Sequence, residues 1–264
     1  RIDYMDVLRG FAVMAIFIVN IKMMFQPFAY YANPLLWEGQ HDALIANLQA
    51  IFVDNKWRTN FTALFGAGIM LMAMKADAAG FDSGKRLRRR TWFLLIFGLI
   101  HLILIWMGDI LTVYALSGFV AILFRNLSMG KLTFWALFLL ILGSVWAGAV
   151  MMSMPHIPGM AEEMSGKFWG TDPAMLQHET EIFTGGVLGQ IAYQAQSSVG
   201  MILFYGLFGG FIPLTVGIML TGMVLFKSGF LQGYAKGSFY APLAALCLGV
   251  AWGLEYWRIL ELRQ

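Results

Sequence analysis

Apolar runs of membrane-spanning length recur along this chain, and they leave it few ways to fold. A span needs about 20 predominantly apolar residues to cross a hydrocarbon core about 30 Å thick. About seven such runs can be read. They are Met5 to Phe25, Leu44 to Met74, Thr91 to Met107, Ile110 to Phe124, Leu132 to Met152, Val199 to Phe226 and Phe239 to Trp257. The second is too long for one crossing and is expected to project beyond the bilayer. Pro213, inside the sixth, predicts a kink or a break. Composition agrees: 59% of the 264 residues are hydrophobic and only 12% charged, against about 25% charged in a soluble domain. Fibrous, disordered and disulfide-scaffold classes are excluded, and the lone Cys247 rules out a cysteine metal cluster. The expected fold is all-α: a polytopic transmembrane helical bundle forming one domain over residues 1–264.

Between the fifth and sixth runs lies Pro155 to Ser198, too polar to face lipid as a span. It reads as a long loop with interfacial helical pieces at Met160 to Met164 and Met175 to Phe183. Pro27, Asn33 and Pro34 mark turns after the first span. The first residue is not methionine, and the run from Met5 is too long for a signal-peptide core and lacks a cleavage site. It therefore reads as a true first span, in a chain expected to be cut at both ends.

Net charge is +3, but the cations cluster between spans rather than in a nucleic-acid-binding patch. Lys75, Lys85, Arg86, Arg88, Arg89 and Arg90 share one loop, Arg125 and Lys131 the next on that side, and Lys227 and Lys236 the one after. The opposite loops carry Lys22, and Lys167 against Glu162, Glu163, Asp172, Glu179 and Glu181. The positive-inside rule then places the amino terminus and the Arg88–Arg90 loop in the cytoplasm and the long acidic loop outside. An odd number of spans leaves the carboxyl terminus outside as well.

Polar groups inside the spans are costly and are functional candidates by default. His101 lies eleven residues beyond Arg90, about 16 Å along a helix and near the bilayer centre. Asn20 lies eleven residues beyond Arg9, at the same depth and on nearly the same helical face. A cytoplasmic arginine and a midplane polar group thus recur on two helices, which suggests a shared polar cavity; a buried Asn as interhelical glue is the plainer alternative. Asp6 and Arg9, three apart, can pair, and a snorkelling anchor explains them equally well. Asp109 is expected near the external boundary, about 27 Å from Arg90, either capping the fourth span or acting as an acid or hydrogen-bond partner. An ideal helix sets it about 80° around and about 12 Å along from His101, out of contact. An orienting carboxylate for His101 is therefore expected from another helix. Lys56 and Arg58, at the external end of the second span, either form a solvated helix end or bind an anionic group. Gly66, Ala67 and Gly68 would admit another helix closely. His41, His156 and His178 show no metal-ligand spacing, and zinc-protease, P-loop and nucleophile-elbow motifs do not occur, so no metal is expected.

Arg1-x-x-x-x-Asp6-x-x-Arg9-Gly10-Phe-Ala and Phe61-x-x-Leu64-Phe65-Gly66-x-Gly68 resemble the opening of the YeiB family of bacterial inner-membrane proteins. So do Arg88-Arg89, Gly98-Leu-Ile-His101 and Trp106-x-Gly108-Asp109-Ile-Leu-x-x-Tyr114-Ala-x-x-Gly118, and more loosely Gly222-Met-x-Leu-x-x-x-Ser228-Gly229-Phe. The resemblance implies an inner-membrane location and an amino-terminal part of a longer protein. Through it the chain is also grouped with membrane acyltransferases, which move acyl groups from cytoplasmic acyl-CoA to acceptors across the membrane. Many of those carry a histidine eleven residues after the first-span arginine. Here that position is Asn20, which cannot act as a base, and His101 takes its place by depth.

The expectation is an acyltransferase-like membrane protein with His101 as general base or transient acyl acceptor. Arg9 and Arg90 would attract the phosphates of the acyl-CoA donor. Asn20 would orient the donor carbonyl, and Asp109, Lys56 and Arg58 would face a small-molecule, lipid or glycan acceptor. The alternatives are a transporter in which His101 relays protons, and a structural or regulatory membrane protein in which His101 is packing glue. The lipid bilayer is the expected partner, nucleic acid is not, and an oligomer is compatible with all three.

Overall fold

Every element of the computed structural model is helical. It describes residues 3–262 except 26, 34, 35, 38, 163–165, 167–171, 204, 205, 207 and 208. No strand occurs among them. The features read at Arg1, Pro34, Glu163, Met164 and Lys167 lie outside the described residues. In chain order the α-helices are α1 (Asp3–Phe25), α2 (Phe28–Ala32), α3 (Gln40–Phe52), α4 (Lys56–Ala78) and α5 (Ser83–Ile100). A π-helix, His101–Ile105, continues α5. Then follow α6 (Leu111–Leu123), α7 (Met129–Ser153), α8 (Pro173–Thr184), α9 (Val187–Met201), α10 (Phe211–Lys227) and α11 (Gly237–Leu262).

Four stretches among the described residues are long and apolar enough to cross a membrane: Tyr4–Ile21, Leu44–Ala78, Met129–His156 and Gly237–Glu261. The shorter apolar helices α6 and α10, with α5 and its π continuation, occupy the other three runs. The protein is a membrane protein of transmembrane helices. Apolar helix faces fit lipid: Phe134, Leu137, Ile141 and Val145 stand exposed on α7, and Leu246, Val250 and Leu254 on α11, each an apolar stripe of the kind that lipid covers.

Three places in the sequence gain detail. The second run is broken by a turn: α3 ends at Phe52 and α4 starts at Lys56, with Asn55 between them at φ 60. Asn is among the few non-glycine residues that enter the left-handed region at low cost. The break expected in the sixth run is present and lies just ahead of Pro213: α9 ends at Met201 and α10 starts at Phe211, after Gly210 at φ 71. Pro213 sits in the first turn of α10, where its missing N–H would have had no intrahelical partner. The last helix of the sixth run accordingly starts at Phe211, and Val199 to Met201 close α9, most of which lies in the segment expected to be a long loop.

The chain divides into two compact units. The first comprises residues 1–61, 162–180 and 229–264. Within it Gln49 Nε2 on α3 donates to the Ile18 carbonyl of α1 at 3.0 Å, and Phe52 meets Trp252 of α11 edge to face at 5.0 Å. Glu179 on α8 is buried and accepts from the Phe28 N–H at 3.3 Å, capping α2. The expected helical piece at Met175 to Phe183 is thus part of α8 and is pinned by its acid.

The second unit comprises residues 62–161 and 181–228. Glycines set its crossings. A Cβ on Gly66 of α4 would lie 1.9 Å from the Met219 carbonyl oxygen of α10, and one on Gly222 of α10 would lie 1.8 Å from that of Ala63. The close approach expected around Gly66 is therefore real. Gly143 of α7 faces the Leu214 backbone, Gly217 of α10 faces Leu140, and Gly98 of α5 faces Thr112 of α6. Small residues substitute for hydrophobic drive where the surroundings are themselves apolar. Leu64, Met70, Tyr114, Leu132, Met219 and Met223 fill the space left between these contacts.

Candidate functional site

The site is built in the second unit, where α5 runs out. Asp82 starts that helix, its carboxylate accepting from the Lys85 N–H at 3.0 Å. This bond, aided by Arg88 and Arg125 against slight burial, holds the Asp82 carboxyl below its usual range. Arg88, Arg89 and Arg90 stand exposed on the next turn, and Arg90 Nη1 reaches Met72 Sδ at 2.7 Å. Arg125 adds a cation at this end by capping α6, Nη1 donating to the Ile122 carbonyl at 3.1 Å. From Arg90 the helix climbs about 16 Å to His101.

At His101 the helix widens. The Trp106 N–H closes a five-residue π turn on the His101 carbonyl at 2.8 Å. Such turns leave carbonyls poorly satisfied and gather at functional sites. Here Ser198 of α9, fully buried, donates to the Leu102 carbonyl at 3.1 Å. Trp106 is extended, at φ −163 and ψ 129, and the chain doubles back through Gly108. The reversal brings Asp109 Oδ1 to 3.0 Å from His101 Nδ1.

This contact overturns the expectation that His101 and Asp109 stay apart and that a carboxylate must come from another helix. That inference continued α5 as an ideal helix through Met107; the chain leaves helical geometry at Trp106 instead. The capping expectation for Asp109 holds as well. Its Oδ1 accepts from the Leu111 N–H at 3.1 Å and its Oδ2 from the Thr112 N–H at 2.7 Å. The Asp109 side chain is 0% exposed and that of His101 31%. Nδ1 itself is buried and makes no aligned hydrogen bond, so the contact is a close approach of carboxylate to ring nitrogen, and the accessible part of the ring lies away from Asp109.

The other residues singled out from sequence belong to the first unit. Arg9 Nη1 pairs with Asp6 Oδ1 at 3.2 Å, as the spacing indicated, and Asn20 is half-buried on α1. Lys56 Nζ donates to the Ala50 carbonyl at 3.0 Å, closing the end of α3, and Arg58 Nη2 donates to Asn55 Oδ1 at 3.1 Å. Beside them burial raises the Tyr31 hydroxyl pKa; the Asp54 charge adds to this and Arg58 opposes it. Among the described residues no group of histidines, cysteines and acids could hold a metal ion. Ser198, Trp106 and the buried Gln194 of α9 were not singled out from sequence, although Trp106 stands in the Trp106-x-Gly108-Asp109 pattern.

The chain is similar to the uncharacterized protein YxaH of Bacillus subtilis, 31% identical over 270 residues, covering 95% of this chain and 64% of YxaH. It is also similar to the uncharacterized protein YeiB of Escherichia coli, 28% identical over 234 residues, covering 87% of this chain and 56% of YeiB. A 39.9 kDa protein from the amylase 3' region of Bacillus acidopullulyticus matches at 31% over 202 residues, covering 73% of this chain and 56% of its own length. These similarities support a YeiB-like family, and the chain spans less than two thirds of each relative's length. No family model and no solved structure matches.

Proposed function

We propose that this membrane protein is acyltransferase-like, with His101 as the general base that activates an acceptor for attack on the thioester of a cytoplasmic acyl-CoA. The observation that carries the reading is the 3.0 Å approach of a fully buried Asp109 carboxylate to His101 Nδ1. A carboxylate at Nδ1 favours the tautomer with its proton there and leaves the Nε2 lone pair for chemistry. In the step, Nε2 takes the proton of an acceptor hydroxyl as its oxygen bonds to the thioester carbon. The carbon–sulfur bond then breaks, and the thiolate of CoA leaves with the proton that Nε2 holds. The exposed Arg90, with Arg88 and Arg89, would attract the donor's phosphates at the near end of α5.

His101→Ala should abolish transfer of a labelled acyl group from acyl-CoA to membrane acceptors, while the purified protein stays abundant and unfolds at a similar temperature. Unchanged turnover would refute the role.

A proton-coupled transporter is the second reading, and one observation favours it. The π-helix and the extended Trp106 interrupt a helix at the depth of His101, and interrupted helices at mid-membrane build the binding sites of many transporters. Uptake of a labelled solute that emerges chemically unaltered, and that stops in the His101→Ala protein, would select it.

A further inference from the structure

We propose that the indole N–H of Trp106 is the hydrogen-bond donor for the carbonyl oxygen of an acyl thioester, so that residues 101–109 carry both the base and the oxyanion donor of one site. This rests on the acyl-transfer reading of His101. Trp106 is 8% exposed, and among the described residues its buried Nε1 has no hydrogen-bond partner. An indole N–H can only donate, and a buried tryptophan is usually placed where that proton finds an acceptor. Its ring packs against the histidine: the two rings stand edge to face, 88° apart, with centroids 6.4 Å apart.

The position of the indole is built by the chain. A Cβ on Gly108 would lie 2.3 Å from Cζ2, 2.4 Å from Cη2 and 2.6 Å from Cε2 of Trp106. Cε2 is bonded to Nε1, so glycine at 108 is what lets the donor edge lie where it does. The backbone holds the same residue, since the Trp106 N–H closes the π turn on the His101 carbonyl. Asp109 occupies the Nδ1 side of the imidazole, and the buried indole N–H beside it is the donor on this turn that has no acceptor among the described residues.

As the acceptor oxygen attacks, the carbonyl π pair moves onto the carbonyl oxygen, and that oxyanion accepts from Trp106 Nε1–H. Collapse re-forms the C=O bond and expels the CoA thiolate, which takes its proton from His101 Nε2. A donor aimed at developing charge contributes about 10²–10³ to kcat.

The test uses the purified protein in lipid nanodiscs, isotope-labelled at the tryptophan indole nitrogens, with the Trp106 signal assigned by its loss in Trp106→Phe. The probes are S-acetonyl-CoA, an unreactive ketone that keeps a carbonyl, and S-propyl-CoA, which has none. The Trp106 indole proton should move downfield with the ketone and not with the alkyl probe. In Trp106→Phe, kcat for acetyl transfer should fall about 10²–10³-fold while KM for acetyl-CoA stays nearly constant. An indole signal indifferent to both probes, or wild-type turnover in Trp106→Phe, overturns the assignment. A ketone-specific shift in a protein that transfers no acyl group supports the carbonyl site and removes the acyl-transfer reading instead.

Discussion

One carboxylate at Asp109 serves two partners: both its oxygens accept backbone N–H groups at the start of α6, and one of them approaches His101. The two functions can be separated. Asn at 109 keeps an acceptor for the helix start but offers an amide N–H to Nδ1. The imidazole then favours the tautomer with its proton on Nε2, where the base must be free. Asp109→Asn should therefore lower acyl transfer by about 10²–10⁴-fold with thermal unfolding little changed, whereas Asp109→Ala should also lose about 1 kcal/mol of capping. Steady-state kinetics beside thermal scans of both variants make the check, and an Asn variant with undiminished turnover contradicts it. His101 was legible in the sequence because an ionisable group in an apolar run stands out whatever surrounds it. Ser198 was not, because a serine among the small polar residues of α9 carries no signal until its hydroxyl is seen on the Leu102 carbonyl.

Two element starts have local causes that the hydropathy reading passed over. Asp82 starts α5 inside the segment read as a basic loop, and Gly210 opens α10 well after Val199, both from chemistry within a few residues. The π-helix was not legible. His101-Leu-Ile-Leu-Ile105 is an ordinary apolar string, and only a partner for its displaced carbonyls makes the wider turn tenable. Close helix crossings lie between these cases. Gly66-Ala67-Gly68 announced that some helix approaches, but which one was decided by α10, whose Gly222 offers a reciprocal gap at Ala63. Gly66→Ala would push a methyl into the Met219 carbonyl, and the two backbones would have to separate. We expect a loss of about 1–3 kcal/mol, measured by thermal or denaturant unfolding in detergent. A variant as stable as wild type would mean that the crossing relaxes freely.

At the scale of the whole molecule the charge pattern is the strongest statement. Lys75 to Arg90 carries six cations and the segment around Asp172 to Glu181 carries acids, so the first should face the cytoplasm and the second the exterior. With the exposed Cys247 replaced by Ser, Lys85→Cys should react with a membrane-impermeant maleimide only after cells are broken, and Glu181→Cys should react in intact cells. The reverse pattern overturns the orientation.

Hydropathy, charge and the histidine set in an apolar run are properties of composition along a line, and a bilayer reads them almost directly. Lipid demands helices, repels charge and makes one imidazole conspicuous, so the helical class, the approximate place of most apolar runs and the prominence of His101 followed from sequence alone. What only the tertiary structure decided is which groups meet. The broken second run, the added helix α9 and the return of Asp109 onto His101 each depend on where a helix stops. Helices stop where other segments satisfy the backbone groups they abandon, and those segments are distant in the chain.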